Sequence, residues 1–356
     1  MKQLIIADVR SLNDKGISLG HYFSVAQNYL DLYSGYCKVK IAGGPIFKTH
    51  FREQDIFLLP YDFIPKRNWL KSKWRILMNC KYLFKNSLPD DIIVIQQSAL
   101  TTAIFGIALF ASSRNNIYII LYDTDALSSA IKKIIYQFAK SKIKGIICPS
   151  ERIADVYKKP GCIVTDYIYP DNKCKHSMSF TERQYDIAMI GRINQDKGVA
   201  EAAGYLAGTK YKVVIAGNCD NKMDEEKLHR AVHRSGNIAS NIELHIGFIN
   251  EDDYYGFIRK SRFVMLNYRG DYEDRSSGVV LDALFSGTPI LGRKCNALKF
   301  IEQMHVGYLF DDICTLNLED IINEKIYDEY LNGIKNYIDK QKEQRNKVVE
   351  FLHLNN

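Results

Sequence analysis

The sequence predicts an α/β fold made of two βαβ domains that face a central cleft. Short apolar runs alternate with amphipathic stretches, and this alternation is typical of strands and helices wound into a parallel sheet. The alternation lapses around 162–180, in a polar stretch with Tyr, Pro and Ser, and then restarts. At 356 residues the chain is long enough for two hydrophobic cores. We therefore expect Rossmann-like domains at 1–172 and 173–327, followed by a helical segment at 328–356.

In the first domain, short apolar runs predict strands and longer amphipathic stretches predict helices. The expected strands are 4–9, 39–42, 92–96, 117–122 and 145–148, and the expected helices are 21–32, 98–112 and 126–139. The same reasoning applies after the lapse. There we expect strands at 185–190, 212–216, 242–246, 263–266 and 289–291, and helices at 198–206, 222–235, 252–260 and 278–285. The charged helical pattern of 328–354 has no strand after it and is expected to cover the first domain.

Composition and cysteine spacing exclude several classes of protein. With 46% apolar and 25% charged residues, the chain is not intrinsically disordered. Its eight cysteines show neither a CxxC pair nor a histidine at metal-ligand spacing, so no zinc site or disulfide framework is expected and a reducing cytosol fits. His229 and His233 share a helix face without a third ligand, and we expect no metal there. The most apolar stretch, 103–111, is about half the roughly 18 residues that span a bilayer.

The positive charge of the chain, +7 overall, is concentrated in one stretch. Residues 66–85 contain seven lysines and arginines, no acidic residue, and the only two tryptophans, Trp69 and Trp74. Such a mixture suits a helix that lies on an anionic membrane. The alternative is a solvated basic face with both tryptophans in the core. A second stretch without acidic residues, 132–144, lies in the same domain. No recognition-helix, RRM or finger signature is present, so nucleic acid is not an expected partner.

Residues 274–290 predict a binding site for a diphosphate. Ser277 and Gly278 are typical of a helix start, and Gly287 is typical of a helix end. The backbone N–H groups of the first turn, Ser277 to Val279, have no partner within the helix and can cradle phosphate oxygens. Asp282, one turn further on, is placed to accept a hydrogen bond from a ribose hydroxyl. The alternative is a plain capped helix in a parallel sheet.

A second segment, 191–198, predicts cations at the same place. Gly191 ends a strand, Arg192 follows it, and Lys197 stands just before the next helix. A lysine at a helix N-terminus opposes the helix dipole at a cost of about 0.3 to 1 kcal/mol, which an anionic ligand would offset. Carboxyl ends of strands point at the ligand crevice in open α/β sheets. Arg192 and Lys197 are therefore expected on the cleft surface, bound to the same phosphates. The alternative is two solvated surface cations.

Together these segments resemble the C-terminal domain of family 4 glycosyltransferases of the GT-B fold. That family carries G-R-x4-K-G, matched by 191–198, and E-x7-E followed by A-x3-G-x-P, matched by 274–289. The resemblance covers about 183–310. Both glutamates of the E-x7-E pattern are aspartates in this chain, Asp274 and Asp282. Glu273 stands beside Asp274, so the resemblance leaves either of these two as the acid that contacts the sugar.

The resemblance also implies residues of the N-terminal domain. Members of the family line the acceptor side of the cleft with the loop after the first strand, which here contains Gly16, Gly20 and His21. The alternatives are that Gly16 and Gly20 belong to an ordinary surface loop and that His21 caps a helix or packs against it. Many members carry a His-Asp pair near the reacting sugar, at the position where this chain has Tyr122 and Asp123. Asp123 would contact the sugar or the acceptor hydroxyl, or else simply cap a helix.

The resemblance implies a cytoplasmic enzyme that transfers a sugar with retention of anomeric configuration. Its donor would be a nucleotide diphosphate sugar, its acceptor a saccharide or a lipid-linked molecule in surface polysaccharide or glycolipid synthesis. No cofactor and no metal are implied, and the basic stretch would hold the enzyme on the inner face of the membrane. Two alternatives stay open: a GT-B sugar-nucleotide epimerase, and a non-catalytic nucleotide-sugar-binding subunit.

Overall fold

The computed structural model describes residues 3–14, 17–18, 22–64, 68–96, 100–122, 124–164, 178–234, 236–270 and 277–354. The chain divides into two compact units. The first comprises Met1–Pro170 with Glu343–Asn356, and the second comprises Asp171–Lys342. The second unit thus runs further along the final helix than the expected boundary at residue 327.

The first unit contains an open sheet with helices on both faces. Its elements are β1 (Gln3–Ala7), β2 (Asn13–Asp14), β3 (Ile17–Ser18), α1 (Tyr22–Tyr33), β4 (Lys38–Gly43), β5 (Ile56–Leu58), α2 (Trp69–Asn86), β6 (Ile92–Ile95), α3 (Leu100–Phe110), β7 (Asn116–Ile120), α4 (Ala130–Lys140), β8 (Ile143–Cys148), α5 (Glu151–Tyr157) and β9 (Gly161–Ile163). The sheet has seven strands in the order β5-β4-β1-β6-β7-β8-β9, all parallel. The order reverses at β1, as in Rossmann-like sheets.

Each face of this sheet is buried by its own set of helices. On one face, the apolar sides of α2, α3, α4 and α5 form a core with alternate residues of the strands, among them Ile5, Ile93 and Ile119. On the other face, α1 packs on residues such as Leu4 and Ile6. Because both faces are covered, the central strands read as unbroken apolar runs.

The second unit repeats this architecture. Its elements are β10 (Tyr185–Ile190), α6 (Val199–Leu206), β11 (Val213–Gly217), α7 (Lys222–Val232), β12 (His233–Arg234), β13 (Asn237–Ile238), β14 (Ile242–Ile246), α8 (Glu251–Arg259), β15 (Ser261–Leu266), α9 (Gly278–Phe285), β16 (Ile290–Arg293), α10 (Phe300–Gln303), β17 (Gly307–Phe310), α11 (Leu318–Ile321) and α12 (Glu324–Phe351). The sheet order is β14-β11-β10-β15-β16-β17, all parallel. The predicted fold class, α/β with two Rossmann-like sheets, is confirmed.

The differences from the predicted elements have local causes. Residues 126–139, predicted as one helix, form a short 3-10 turn at Asp125–Leu127 and then α4, because the Ser129 side chain caps a new helix start. The helix predicted at 222–235 ends at Val232, where a two-stranded hairpin, β12 and β13, begins. Sequence analysis missed β5, β9 and β17, whose three or four residues are too few to show a period.

The final helix, α12, contributes side chains to both units. Near its start Tyr327 is fully buried in the core of the second unit. Near its end Val348, Val349 and Leu352 are buried in the core of the first unit. In the part of the chain that the structure describes, no helix is both long and apolar enough to cross a membrane.

Candidate donor-binding site

The candidate site lies at the carboxyl edge of the second sheet, where the strand order reverses. β10 pairs in parallel with both β11 and β15, so the segments that follow these three strands share one edge. They begin at Gly191, Asn218 and Asn267. Ligands of open α/β sheets bind in the crevice at such a reversal. The site predicted from the sequence therefore coincides with the position that the topology favours.

Backbones pack very closely at this edge. A Cβ atom on Gly217 would lie 1.6 Å from the carbonyl oxygen of Gly191, so only glycine fits there. A Cβ atom on Gly191 would lie 3.4 Å from Cγ2 of Val279 and 3.6 Å from Nζ of Lys197. The structure thus brings three of the predicted donor-binding residues, Gly191, Lys197 and Val279, into one cluster.

Lys197 is buried, whereas the sequence predicted it on the cleft surface. Only 8% of the residue is exposed. Its backbone N–H donates to Oδ1 of Asn194 (3.0 Å), and the N–H of Gly198 donates to the carbonyl of Gln195, so 194–198 forms a tight turn. Burial lowers the pKa of Lys197 to about 8; the charge of Arg192 lowers it further and that of Asp220 opposes the shift. A cation so poorly solvated is poised to gain from an anionic ligand.

Arg192 lies on the surface, as predicted, with two thirds of its side chain exposed. Its guanidinium pairs with the carboxylate of Asp220, in the loop after β11. The second oxygen of that carboxylate accepts a hydrogen bond from Nδ2 of Asn194 (3.0 Å). Sequence analysis missed Asp220 and Asn194, although both follow strands that end at the same edge. This arrangement orients the guanidinium and keeps a second cation within electrostatic reach of Lys197.

The first turn of α9 begins at Ser277, the predicted helix start. The Ser277 side chain makes no capping hydrogen bond to the helix backbone. Instead its hydroxyl is hydrogen-bonded to the hydroxyl of Tyr268, a buried residue just after β15. The Ser277 side chain thus does not cap the first-turn N–H groups, and Gly278 puts no side chain over them. This geometry suits the predicted phosphate cradle.

Asp282 is buried within α9 and held by two tyrosines. The hydroxyl of Tyr254 donates to Oδ2 (2.8 Å), and that of Tyr255 donates to Oδ1 (3.0 Å). Burial, and then the charge of Asp282, raise the pKa of Tyr254 well above its usual value, so this hydroxyl stays a donor. Both tyrosines come from α8, and sequence analysis missed them. The contact of Asp282 with a ribose stays a prediction.

A cavity of about 440 Å³ lies beside the loop that carries Arg192 and Lys197. It is lined by 193–196, by residues of α6 and α7, and by Arg269 and Gly270. Its walls are fixed by contacts between loops: a Cβ atom on Gly198 would lie 2.3 Å from the carbonyl oxygen of Asn267. The backbone N–H of Arg269 also donates to the carbonyl of Asp196 (2.7 Å). The loops after β10 and β15 are therefore packed directly against each other.

Several predicted site residues lie outside the described part of the chain, and their roles stay predictions. These are the candidate catalytic residues Asp123, Glu273 and Asp274 and the acceptor-side residues Gly16, Gly20 and His21. Among the described residues, no three His, Cys, Asp or Glu side chains converge as a metal site. The rings of His229 and His233 are 6.0 Å apart, and His229 lies 3.9 Å from Glu225.

Comparison with known proteins supports the fold. No protein-family model matches the chain, and no curated protein matches it in sequence. The fold is similar to the alpha,alpha-trehalose-phosphate synthase (UDP-forming) from Burkholderia xenovorans in complex with glucose-6-phosphate. That likeness has a TM-score of 0.71 at 9% identity and covers 99% of this chain and 100% of that one.

Two further structures give the same result. The trehalose-6-phosphate structure from E. coli bound with UDP-2-fluoro glucose gives a TM-score of 0.65 at 11% identity, over 98% of this chain and 99% of that one. AviGT4, a glycosyltransferase involved in avilamycin A biosynthesis, gives 0.59 at 12% identity, over 98% of both chains. At such identities these likenesses show the fold alone, which is of the GT-B class.

Proposed function

We propose that this protein is a retaining GT-B glycosyltransferase of the family 4 type, which transfers a sugar from a nucleotide diphosphate donor. One observation carries the proposal: buried Lys197 and the first turn of α9 come together at the reversal of the second sheet. A partly desolvated ammonium and the N–H groups of a helix first turn are complementary to a diphosphate. Two of the structurally similar proteins are described with a nucleotide sugar or a sugar phosphate bound, which supports this class of substrates.

The chemistry of the reaction follows from where negative charge develops. As the bond between the anomeric carbon of the sugar and the diphosphate oxygen breaks, negative charge grows on the leaving diphosphate. Lys197, Arg192 and the N–H groups at Gly278 and Val279 would stabilise that charge, each already oriented by the fold. The barrier is then lowered by fixed positive groups, of which Lys197 is poorly solvated, and the proposed reaction is independent of metal. Glu273 or Asp274 would hold the sugar, and Asp123 would contact the sugar or the acceptor.

We further propose that the acceptor is a saccharide or a lipid-linked molecule in surface polysaccharide or glycolipid synthesis. The enzyme would act in the cytoplasm, peripherally on the inner face of the membrane. Gly16, Gly20 and His21 would line the acceptor side. This part of the proposal depends on the resemblance and on the basic stretch of the first unit.

The proposal is tested by screening nucleotide sugars for thermal stabilisation of the purified protein, since a donor that binds the folded state raises the melting temperature. Each stabilising donor is then incubated with acceptors, and transfer product and released nucleoside diphosphate are measured. A transferase yields both. A donor that is only epimerised indicates the epimerase, and a donor that binds without turnover with any acceptor indicates the non-catalytic subunit.

Matched variants locate the reaction at the predicted site. Lys197→Met and Arg192→Ala should each weaken donor stabilisation, because each loses a charged partner of the diphosphate. Lys325→Met, at an exposed position of α12 in the same unit, should leave donor stabilisation unchanged. Unaltered stabilisation in both site variants would refute the donor-site assignment.

A further inference from the structure

An apolar surface of the first unit has no covering partner within the described chain, and it is formed by three neighbouring helices. α3 packs against α2 on one side and against α4 on the other. The approach of α2 and α3 is close: a Cβ atom on Gly106 would lie 2.6 Å from Sγ of Cys80. On the other side, Nζ of Lys142, two residues after the end of α4, donates to the carbonyl of Ala108 near the end of α3 (2.6 Å). The three helices therefore form one layer, called here the α2–α4 face.

α4 contributes the most exposed part of this face. Ile131, Ile134 and Phe138 are spaced three and four residues apart, so they lie on one side of the helix. Ile131 is 72% exposed and Phe138 is 70% exposed, whereas Tyr136 and Ala139 are buried in the core. A surface helix normally carries polar side chains opposite its core face. α4 instead carries apolar side chains on both.

α2 and α3 continue the apolar surface. At the start of α2, Trp69 (62% exposed), Leu70 and Trp74 are all exposed, while Ile76 is buried in the core. The alternative that both tryptophans lie in the core is therefore wrong. Nζ of Lys73 lies 4.6 Å from the ring centroid of Trp69, so a cation and an aromatic ring share the surface. In α3, Phe105 and Leu109 are exposed, one turn apart.

Charge decides which partner fits this face. The three helices together carry eight lysines and arginines and no carboxylate: Lys71, Lys73, Arg75, Lys81, Lys85, Lys132, Lys133 and Lys140. A second copy of the chain docking through the same face would bring like charges together. An anionic bilayer instead attracts the cations and accepts the apolar side chains into its interfacial layer. Tryptophan and lysine side chains both favour that interface, because the apolar part of each lies among the lipid chains while its polar end reaches the headgroups or water.

We propose that the α2–α4 face binds the surface of an anionic phospholipid bilayer, with α4 and the start of α2 embedded in its headgroup region. The surface is wider than the 66–85 stretch that the sequence indicated, because its most exposed apolar residues belong to α4. Each of the three helices leads into the next parallel strand, so each starts at the carboxyl edge of the sheet, where ligands of this fold bind. Resting on the proposed function, this geometry lets a lipid-linked acceptor reach that edge without leaving the bilayer.

Flotation with vesicles tests the proposal. The full chain is mixed with vesicles of phosphatidylcholine alone or of equimolar phosphatidylcholine and phosphatidylglycerol, and the protein that floats is measured at low and high salt. We expect flotation only with phosphatidylglycerol, and less at high salt. An apolar variant, Ile131→Ser with Ile134→Ser and Phe138→Ser, keeps every cation and should float roughly tenfold less.

Two matched variants complete the test. Lys71→Glu with Lys73→Glu reverses two exposed charges of α2, keeps every apolar side chain of the face, and should also reduce flotation. Met223→Ser with Ile238→Ser removes exposed apolar side chains of the second unit and should float like the unaltered protein. Because all substituted side chains are exposed or partly exposed, thermal unfolding of each variant should match that of the unaltered chain.

Other outcomes overturn the proposal or separate it from the proposed function. Failure of the unaltered protein to float, or equal flotation of the apolar variant, would refute the membrane surface. A dimer in size-exclusion chromatography that is lost in the apolar variant would assign the face to a second copy instead. Flotation without any sugar transfer would leave the surface standing and refute the function, whereas transfer without flotation would do the reverse.

Discussion

Replacing Lys197 with methionine should raise the free energy of unfolding and weaken nucleoside diphosphate binding at the same time. Only 8% of Lys197 is exposed. Burial is the main reason that its pKa falls from 10.5 to about 8. Each pKa unit corresponds to about 1.4 kcal/mol, so holding the ammonium charged at neutral pH costs the folded state about 3 kcal/mol. Methionine keeps the apolar stem and removes this cost.

The pH dependence of the free energy of unfolding tests independently whether the charge on Lys197 destabilises the fold. Between about pH 8 and pH 10.5 the unfolded chain holds a proton on Lys197 that the folded chain has released. The stability of the unaltered protein should therefore increase through that window, since the unfolded state binds more protons. In Lys197→Met this contribution is absent. Affinity for diphosphate should fall as pH rises through about 8 in the unaltered protein, because the neutral amine no longer attracts the phosphates.

Urea unfolding and titration calorimetry with UDP, GDP and ADP measure the two effects separately. The variant should gain up to about 3 kcal/mol of stability at pH 7 and should bind its preferred diphosphate roughly 10- to 150-fold more weakly. Lys325→Met, an exposed control, should change neither quantity. A variant that loses stability and keeps its affinity would show that Lys197 is a structural residue, and the donor-site reasoning would fail.

Three further predictions concern other parts of the site. Tyr254→Phe should lower the free energy of unfolding by about 1 to 3 kcal/mol in urea titrations, since it removes a donor from buried Asp282; no change would mean that the second tyrosine suffices. Gly217→Ala should cost about 3 kcal/mol or more, since its Cβ atom would overlap the carbonyl at the end of β10, and unchanged melting would contradict that backbone contact. Turnover should persist in excess EDTA; loss of activity that manganese restores would assign the chemistry to Asp123 and Asp125 as metal ligands.

The fold could be predicted from the sequence because parallel strands that are buried on both faces appear as nearly continuous apolar runs. Each central strand of both sheets appears as a short apolar run, and helices separate them. The strands of the two large sheets that were missed, such as β9 at Gly161–Ile163, lie at a sheet edge and have three or four residues. So short a segment has too few residues to show an alternation of apolar and polar positions.

The candidate site was only partly predictable, for a physical reason that Lys197 illustrates. Glycines and cations at strand ends mark the site, because few other residues permit backbones to approach or phosphates to bind. Burial of a particular side chain depends on how a loop folds over it, and the sequence predicted Lys197 on the surface. Partners supplied by other strands and helices, Asp220 for Arg192 and Tyr254 for Asp282, carry no local pattern that connects them to the site.

The exposed apolar side chains of α4 show another limit. Ile134 and Ile135 are neighbours in sequence, yet the first is exposed and the second is packed against the core. α4 carries apolar residues on more than one side, between Lys132, Lys133, Gln137 and Lys140, so its sequence does not show which apolar side meets the sheet. The contacts that α3 makes decide it.

The burial of Val348, Val349 and Leu352 in the first unit has a consequence for synthesis on the ribosome. These side chains complete a core that otherwise consists of residues from the beginning of the chain, including Leu4 and Ile6. The core of the first unit therefore cannot be completed until codons near 350 have been translated. All residues of the second unit, Asp171–Lys342, are synthesised before that point. Domains usually finish folding in the order in which they are made, whereas here the half that emerges first is the last to be completed.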